Sequence, residues 1–232
     1  MEKPKILIFY GPPGAGKDTQ AKRVAFKTGA YIVSSSKLIE EKIFNPDLQN
    51  DPIIQRERKN YESGALCTPE WVTEIINNKV KELHQEKKSL IFTGSPRTLY
   101  EAENEIPFWE SIYGKENIFI IEIKLKEETS IFRNSHRRVC ENCGYPVVYS
   151  FETEMWRFCP MCGGKIVDRG ALDKPETIKV RLVEYRERTK PVIDYFINRG
   201  YSIIEIDGEP LPDIVTQNIF EQLNRINFFN ND

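Results

Sequence analysis

Gly11-Pro12-Pro13-Gly14-Ala15-Gly16-Lys17 has the spacing of a phosphate-binding loop: a glycine, four residues, then Gly-Lys. It follows the apolar run Ile6 to Tyr10 and opens a helical stretch, the context this motif requires. Glycines let backbone N–H groups turn towards phosphate oxygens. The helix N-terminus adds positive potential, and Lys17 can reach the β and γ phosphates. The pattern predicts nucleotide binding and leaves the reaction open. The usual Ser or Thr after the lysine is Asp18, with Thr19 next. A carboxylate repels phosphates unless a metal lies between them. An exposed acid is also favoured in a first helical turn with no ligand at all. Both readings fit Asp18.

Cys140-x2-Cys143 and Cys159-x2-Cys162 are matched pairs, each followed by glycine. This is the four-thiolate structural zinc pattern. Two disulfides are the alternative, which a reducing cytosol disfavours. A closed four-thiolate site has no open position, so the zinc would be structural. Cys67, the odd thiol, reads as a small, partly buried and unreactive residue. Arg133, Arg137, Arg138, Arg169 and Arg181 flank the cysteine insert. A solvated basic face would explain them alone. Beside a phosphate loop, their bidentate, permanently charged forks suit phosphoryl oxygens. His84 and His136 read as surface residues, and Trp71, Trp109 and Trp156 as packing residues.

The elements that must position these groups alternate between strand and helix. Strands are expected at Ile6–Tyr10, Tyr31–Val33, Leu90–Phe92, Ile118–Ile123 and Tyr201–Ile206. Helices are expected near 17–27, from Ser34–Ser36 through Ile43, from Thr68 to about Lys87, and over 98–113, 127–138, 175–198 and 212–223. Pro107 should kink or break its helix. Residues 45–60, with Pro46 and Pro52, read as mobile short helices. Such alternation predicts an α/β fold with a parallel sheet and helices on both faces.

Composition excludes several classes. The chain has 232 residues, 40% hydrophobic and 29% charged, with a net charge of −2. That suits a soluble globular protein and not a disordered or fibrous one. It also argues against a general nucleic-acid binder, which needs a basic face. No apolar run reaches the ~18 residues of a membrane span. The sequence runs from Met1 straight into the first strand without a charged-then-apolar leader, so the expected location is cytoplasmic.

Taken together, these motifs resemble the adenylate kinase family, in its long form with a zinc-bearing lid. The resemblance covers nearly the whole chain. Gly11 to Gln20 matches the phosphate loop, and Gly94 with Pro96-Arg97-Thr98 matches the family's Asp-Gly-Phe-Pro-Arg-Thr signature. Arg133 and Arg137 have the spacing of the lid entrance. Glu176 to Leu182 matches the helix leaving the lid, and Ile206-Asp207-Gly208 the turn near the donor adenine.

The resemblance implies a P-loop kinase core with a five-stranded parallel sheet, over residues 1–33, 67–137 and 171–232. It implies a mobile acceptor-nucleotide domain at 34–66 and a zinc lid at 138–170. The implied reaction moves the γ-phosphoryl group of Mg-ATP to AMP, GMP or another monophosphate, in a monomer. Lys17, Arg97, Arg133, Arg137, Arg169 and Arg181 would serve the phosphates. ATP would be held by Gly11, Gly14, Ala15, Gly16, Lys17, Asp18, Thr19, Arg133, Arg137 and Gly208. The acceptor would meet Ser35, Lys37, Glu40, Leu66, Cys67, Gly94, Arg97 and Glu101. Zinc would sit on Cys140, Cys143, Cys159 and Cys162.

Departures gather on the acceptor side. The family's magnesium-supporting Asp is Thr93, its Phe is Ser95, its acceptor-helix Asp is Lys37, and the Arg three residues on is Glu40. Lys37 and Glu40 could pair on one helix face. The adenine-reading Gln is Glu101, which as an ionised group can only accept, and so would suit guanine's two donors better than adenine. The lid's paired aspartates become Leu172-Asp173, with one residue inserted after Arg169. These changes keep alive a degenerate kinase or nucleotide sensor. A zinc ribbon that binds nucleic acid is disfavoured: Arg157, Lys165 and Arg169 face Glu141, Glu152, Glu154 and Asp168 in the insert.

Overall fold

A computed structural model describes residues 3–168, 170–226 and 228. Among these, β1 (Ile6–Tyr10), β2 (Tyr31–Ser34), β3 (Leu90–Thr93), β4 (Ile118–Lys124) and β8 (Ile203–Asp207) form one parallel sheet in the order β2-β3-β1-β4-β8. The remaining strands are β5 (Arg138–Cys140), β6 (Pro146–Val147) and β7 (Ile166–Asp168).

β1 is a continuous apolar run because both of its faces are covered, as parallel strands require. Ile6, Ile8 and Tyr10 enter one core with Phe92, Trp109 and Phe196. Leu7 and Phe9 enter the other with Ile91, Ile121 and Ile219. The period of two along one strand thus feeds two helix layers. Trp109 is fully buried and stacks on Phe92 with centroids 4.2 Å apart.

The helices are α1 (Lys17–Thr28), α2 (Ser35–Ile43), α3 (Pro52–Ser63), α4 (Pro69–Gln85), α5 (Leu99–Tyr113), α6 (Glu127–Ser135), the short α7 (Phe151–Glu154), α8 (Pro175–Glu184), α9 (Lys190–Asn198) and α10 (Pro212–Arg225). Residues 45–60 hold a 3-10 turn, Pro46–Leu48, and most of the twelve-residue α3, capped by the Asp51 side chain. That is one sustained helix where fragments were expected.

Pro107 does not end α5. Its ring removes the hydrogen bond to the carbonyl of Glu103, and both residues lie on the exposed face, where water can take that carbonyl. The helix expected to reach Arg138 stops at Ser135, and Arg138 opens β5. The expected single helix over 175–198 contains a π turn, Tyr185–Thr189, in which the Lys190 N–H reaches the Tyr185 carbonyl. Pro191 has no N–H to give its own fourth-back carbonyl, and the wider turn absorbs the mismatch.

β5, β6 and β7 make a separate antiparallel sheet in the order β6-β5-β7. Val147 is buried there, while Phe151, Met155, Phe158 and Met161 are exposed. This insert has almost no apolar core. No helix among the described residues is long and apolar enough to cross a membrane.

Candidate active site

Strand β1 ends at Tyr10, and the chain turns at once through the glycine loop into α1. Gly11 has φ +145°, and a Cβ there would stand 2.5 Å from the Ile123 carbonyl of β4, so only glycine fits. The loop therefore lies against the neighbouring strand end, in the crevice outside the carboxyl ends of a parallel sheet. Lys17 opens α1 and folds back, its Nζ donating to the carbonyls of Gly11 at 2.7 Å and Pro12 at 3.0 Å.

Lys17 does not stand alone. Burial first, then the nearby positive charge of Arg97, lowers its pKa to about 7, with Arg181 and Arg137 acting the same way and Asp18 opposing them. These cations converge on one point, and such an arrangement asks for an anion. Arg97 reaches it from the turn after β3. Its guanidinium lies so close over Gly94 that a side chain there would collide with it and with the Ser35 hydroxyl. Ser35 Oγ in turn donates to the Gly94 carbonyl at 2.8 Å, joining α2 to that turn.

Asp173, aligned in the sequence with one of the lid's paired aspartates but given no role there, is the carboxylate of this cluster. Its carboxylate is buried, 4.0 Å from Arg137 and 3.7 Å from Arg181 in ion-pair contact. Neither of its oxygens makes a hydrogen bond. Its place eight residues before Arg181, just ahead of α8, was the available signal.

The other predicted residues divide. Arg133 is not in the cation cluster: its guanidinium donates to the carbonyls of Gly208 at 2.9 Å and Glu209 at 2.8 Å, tying α6 to the turn after β8. Arg138 turns into the insert and bonds the Trp156 and Thr153 carbonyls. Arg169 lies outside the described residues. Lys37 and Glu40 do not form an ion pair: Lys37 is exposed, and Glu40 accepts the Tyr61 hydroxyl of α3 instead. Leu66 is half-buried. Cys67 is buried, its thiol 3.6 Å from the Glu57 carbonyl, and burial pushes its pKa up to about 12. His84 packs its ring on Tyr113 at 5.0 Å and is half-buried, while His136 is exposed.

Glu101 is buried. Its Oε2 accepts the Arg97 N–H at 2.7 Å, and its Oε1 the Thr98 hydroxyl at 3.2 Å. Thr98 caps α5 by accepting the Glu101 N–H, so the pair forms a reciprocal helix start.

The sulfurs of Cys140, Cys143, Cys159 and Cys162 all lie within 4.8 Å of one another, and all four are free thiols. Cys140 Sγ is 3.4 Å from Cys162 Sγ, and Cys143 Sγ is 3.6 Å from Cys159 Sγ. A tetrahedron with Zn–S of about 2.3 Å has edges of roughly 3.8 Å, so this set fits zinc. Backbone N–H groups of Cys143 and Asn142 aim at the Cys140 sulfur and lower its pKa to about 7, while the neighbouring sulfurs raise that of Cys143.

A strand–glycine loop–helix at the crevice of a parallel sheet, with a lysine and arginines converging there, defines a P-loop phosphotransferase. Comparison with known proteins narrows this. A family model described as "Adenylate kinase" matches residues 9–201. Adenylate kinase of Archaeoglobus fulgidus is 33% identical over 204 residues, 87% of this chain and 90% of the relative. That of Lachnospira eligens is 34% identical, covering 90% of this chain and 95% of the relative. That of Kosmotoga olearia is 33% identical, covering 95% and 99%. The chain belongs to the adenylate kinase family. It is a nucleoside monophosphate kinase, a phosphotransferase that makes two nucleoside diphosphates from ATP and a monophosphate.

Proposed function

We propose that the acceptor is AMP, and that the cation cluster holds the phosphoryl group in flight. The convergence of Arg97, Arg137 and Arg181 on Lys17 at the end of β1 supports the phosphoryl part of this reading, and AMP rests on the relatives named adenylate kinase. Lys17 and the loop N–H groups hold the β and γ phosphates of ATP. Arg97, from the other side, holds the monophosphate. Arg137 and Arg181 neutralise charge on the transferring group, which is most of what phosphoryl transfer asks of a protein. Arg133 holds the donor's base end by fixing the Gly208 turn. Residues 34–66 and 138–170 are the acceptor piece and the lid, and their closure keeps water from the phosphoryl group.

Magnesium accompanies ATP in this family, and the oxygen set here fits a hard cation. Thr93 Oγ1 is buried at the end of β3 with no hydrogen-bond partner, and Asp18 and Thr19 begin α1. Held by these residues, the ion would offset the charge of the phosphates. Zinc on the four cysteines serves structure alone. The protein acts as a monomer, without nucleic acid. The test is ADP formation with AMP, GMP, CMP and UMP as acceptors. AMP should give the highest kcat/KM. No turnover with any of them would make the chain a nucleotide sensor.

A further inference from the structure

Behind Arg97 lies a second buried group that the phosphate chemistry does not use. Glu105, on α5, is fully buried, and Glu101 and Ser95 are buried beside it. Ser95 Oγ is 3.4 Å and 3.2 Å from the two Glu105 oxygens, and 3.5 Å from Glu101 Oε2. One hydroxyl carries one proton, so it can satisfy only one of two carboxylates. Two buried carboxylates around one hydroxyl cannot both stay ionised.

The surroundings decide which one is neutral. Burial raises the pKa of Glu101 as well, but Glu101 accepts the Arg97 N–H and the Thr98 hydroxyl, and the charges of Arg97 and of Arg188, on the π turn, oppose that rise. Around Glu105 stand Tyr10 of β1, Thr73 of α4, Ser95 and the Glu101 charge, with no cation among them. Burial, and then Glu101, raise its pKa well above the ordinary carboxyl range.

We propose that Glu105 is held as a neutral acid and is a positioning residue for Arg97. Its O–H donates to Ser95 Oγ, the Ser95 O–H donates to Glu101 Oε2, and the same oxygen accepts the Arg97 N–H. This relay fixes the turn that carries the Arg97 guanidinium over Gly94. It commits the Glu101 oxygens to the turn, so the acceptor's base is not read through them. The inference rests on the reading of Arg97 as the acceptor-phosphate residue.

Infrared spectra of the parent at pH 7 should show the carbonyl band of a buried protonated carboxyl. The band should vanish in Glu105→Gln and persist in Glu101→Gln. In kinetics, Ser95→Ala and Glu105→Leu should raise the acceptor KM about tenfold while the ATP KM stays within about twofold, because the defect is in placing one arginine. Glu105→Gln keeps a donor for Ser95 and should restore the acceptor KM to within about threefold of the parent. The AMP to GMP ratio of kcat/KM should not change in Glu101→Gln. Absence of the band in the parent overturns the proposal whether or not the substituted proteins fold, and so does its persistence in a folded Glu105→Gln. So does an equal rise in both KM values, or none. A parent that turns over no monophosphate removes the acceptor reading, and the spectra still decide the proton.

Discussion

Lys17 holds the sharpest consequence of the site's electrostatics. Burial and then Arg97 bring its pKa to about 7 in the unliganded protein, from 10.5. ATP places phosphate charge among these cations, so the bound complex should keep Lys17 protonated across the working pH range. ATP binding must then take up a proton whenever the free protein has lost it. With a pKa near 7, the uptake is about half a proton at pH 7 and about 0.9 at pH 8. The affinity falls about tenfold between pH 6 and pH 8, close to 1.4 kcal/mol. Calorimetry of ATP binding in buffers of different ionisation enthalpy reads the uptake directly. Lys17→Arg stays charged, so it corrects for protons released or taken by ATP itself. An uptake at pH 8 that matches Lys17→Arg would refute the reasoning, because Lys17 would then be charged before ATP arrives. Stability carries the same sign. The folded state binds fewer protons than the unfolded chain between about pH 7 and 10.5, so the unliganded protein gains stability from this group as pH rises through that window. Lys17→Met should therefore stabilise the unliganded protein most below pH 7, as thermal melts at two pH values would show.

Cys143→Ser, or a strong chelator, should remove about one zinc per chain and open residues 138–168 to protease while the core melt stays in place, because the insert has little core beyond Val147; unchanged metal content and protease resistance would count against a zinc lid. Asp18→Gly should raise the magnesium concentration needed for half-maximal turnover several-fold, if Asp18 supplies the carboxylate that Thr93 lacks; a variant as active as the parent at every magnesium level would show that the acid is only tolerated. Trp109→Ala should cost about 3–5 kcal/mol in urea unfolding, since the ring is fully buried against Phe92.

The parts legible in the sequence were those decided locally. β1 announces itself because a strand covered on both faces is apolar throughout, and the glycine loop because its chemistry lies in seven consecutive residues. The four-cysteine cluster was legible because each Cys-x2-Cys pair is a local spacing, and the structure brings the two pairs together. What failed depended on surroundings. Pro107 breaks a helix only where the orphaned carbonyl has no water, and its exposed face was not visible from propensity. The π turn answers Pro191, a pairing of residues that periodicity cannot register. Arg133 and Arg138 have the charge and spacing that suit phosphates, and that their guanidinia here donate to backbone carbonyls of other segments could not be read from spacing. Glu101 was placed on the acceptor side by alignment, while its hydrogen bonds depend on how α5 docks on the turn before it.

Asp173 shows how the site bears its own charge before substrate arrives. Lys17, Arg97, Arg137 and Arg181 converge, and like charges at such range are unfavourable in a partly dry crevice. A carboxylate between Arg137 and Arg181 offsets part of that repulsion. Its oxygens make no hydrogen bonds, so it acts on the two arginines as a charge. An acid bonded bidentately would compete with the phosphoryl group for the same N–H donors. One held at 3.7–4.0 Å supports the cations without occupying them. Asp173→Asn should then weaken the unliganded protein and make its melting temperature depend more steeply on added ATP, because the nucleotide takes over the missing charge.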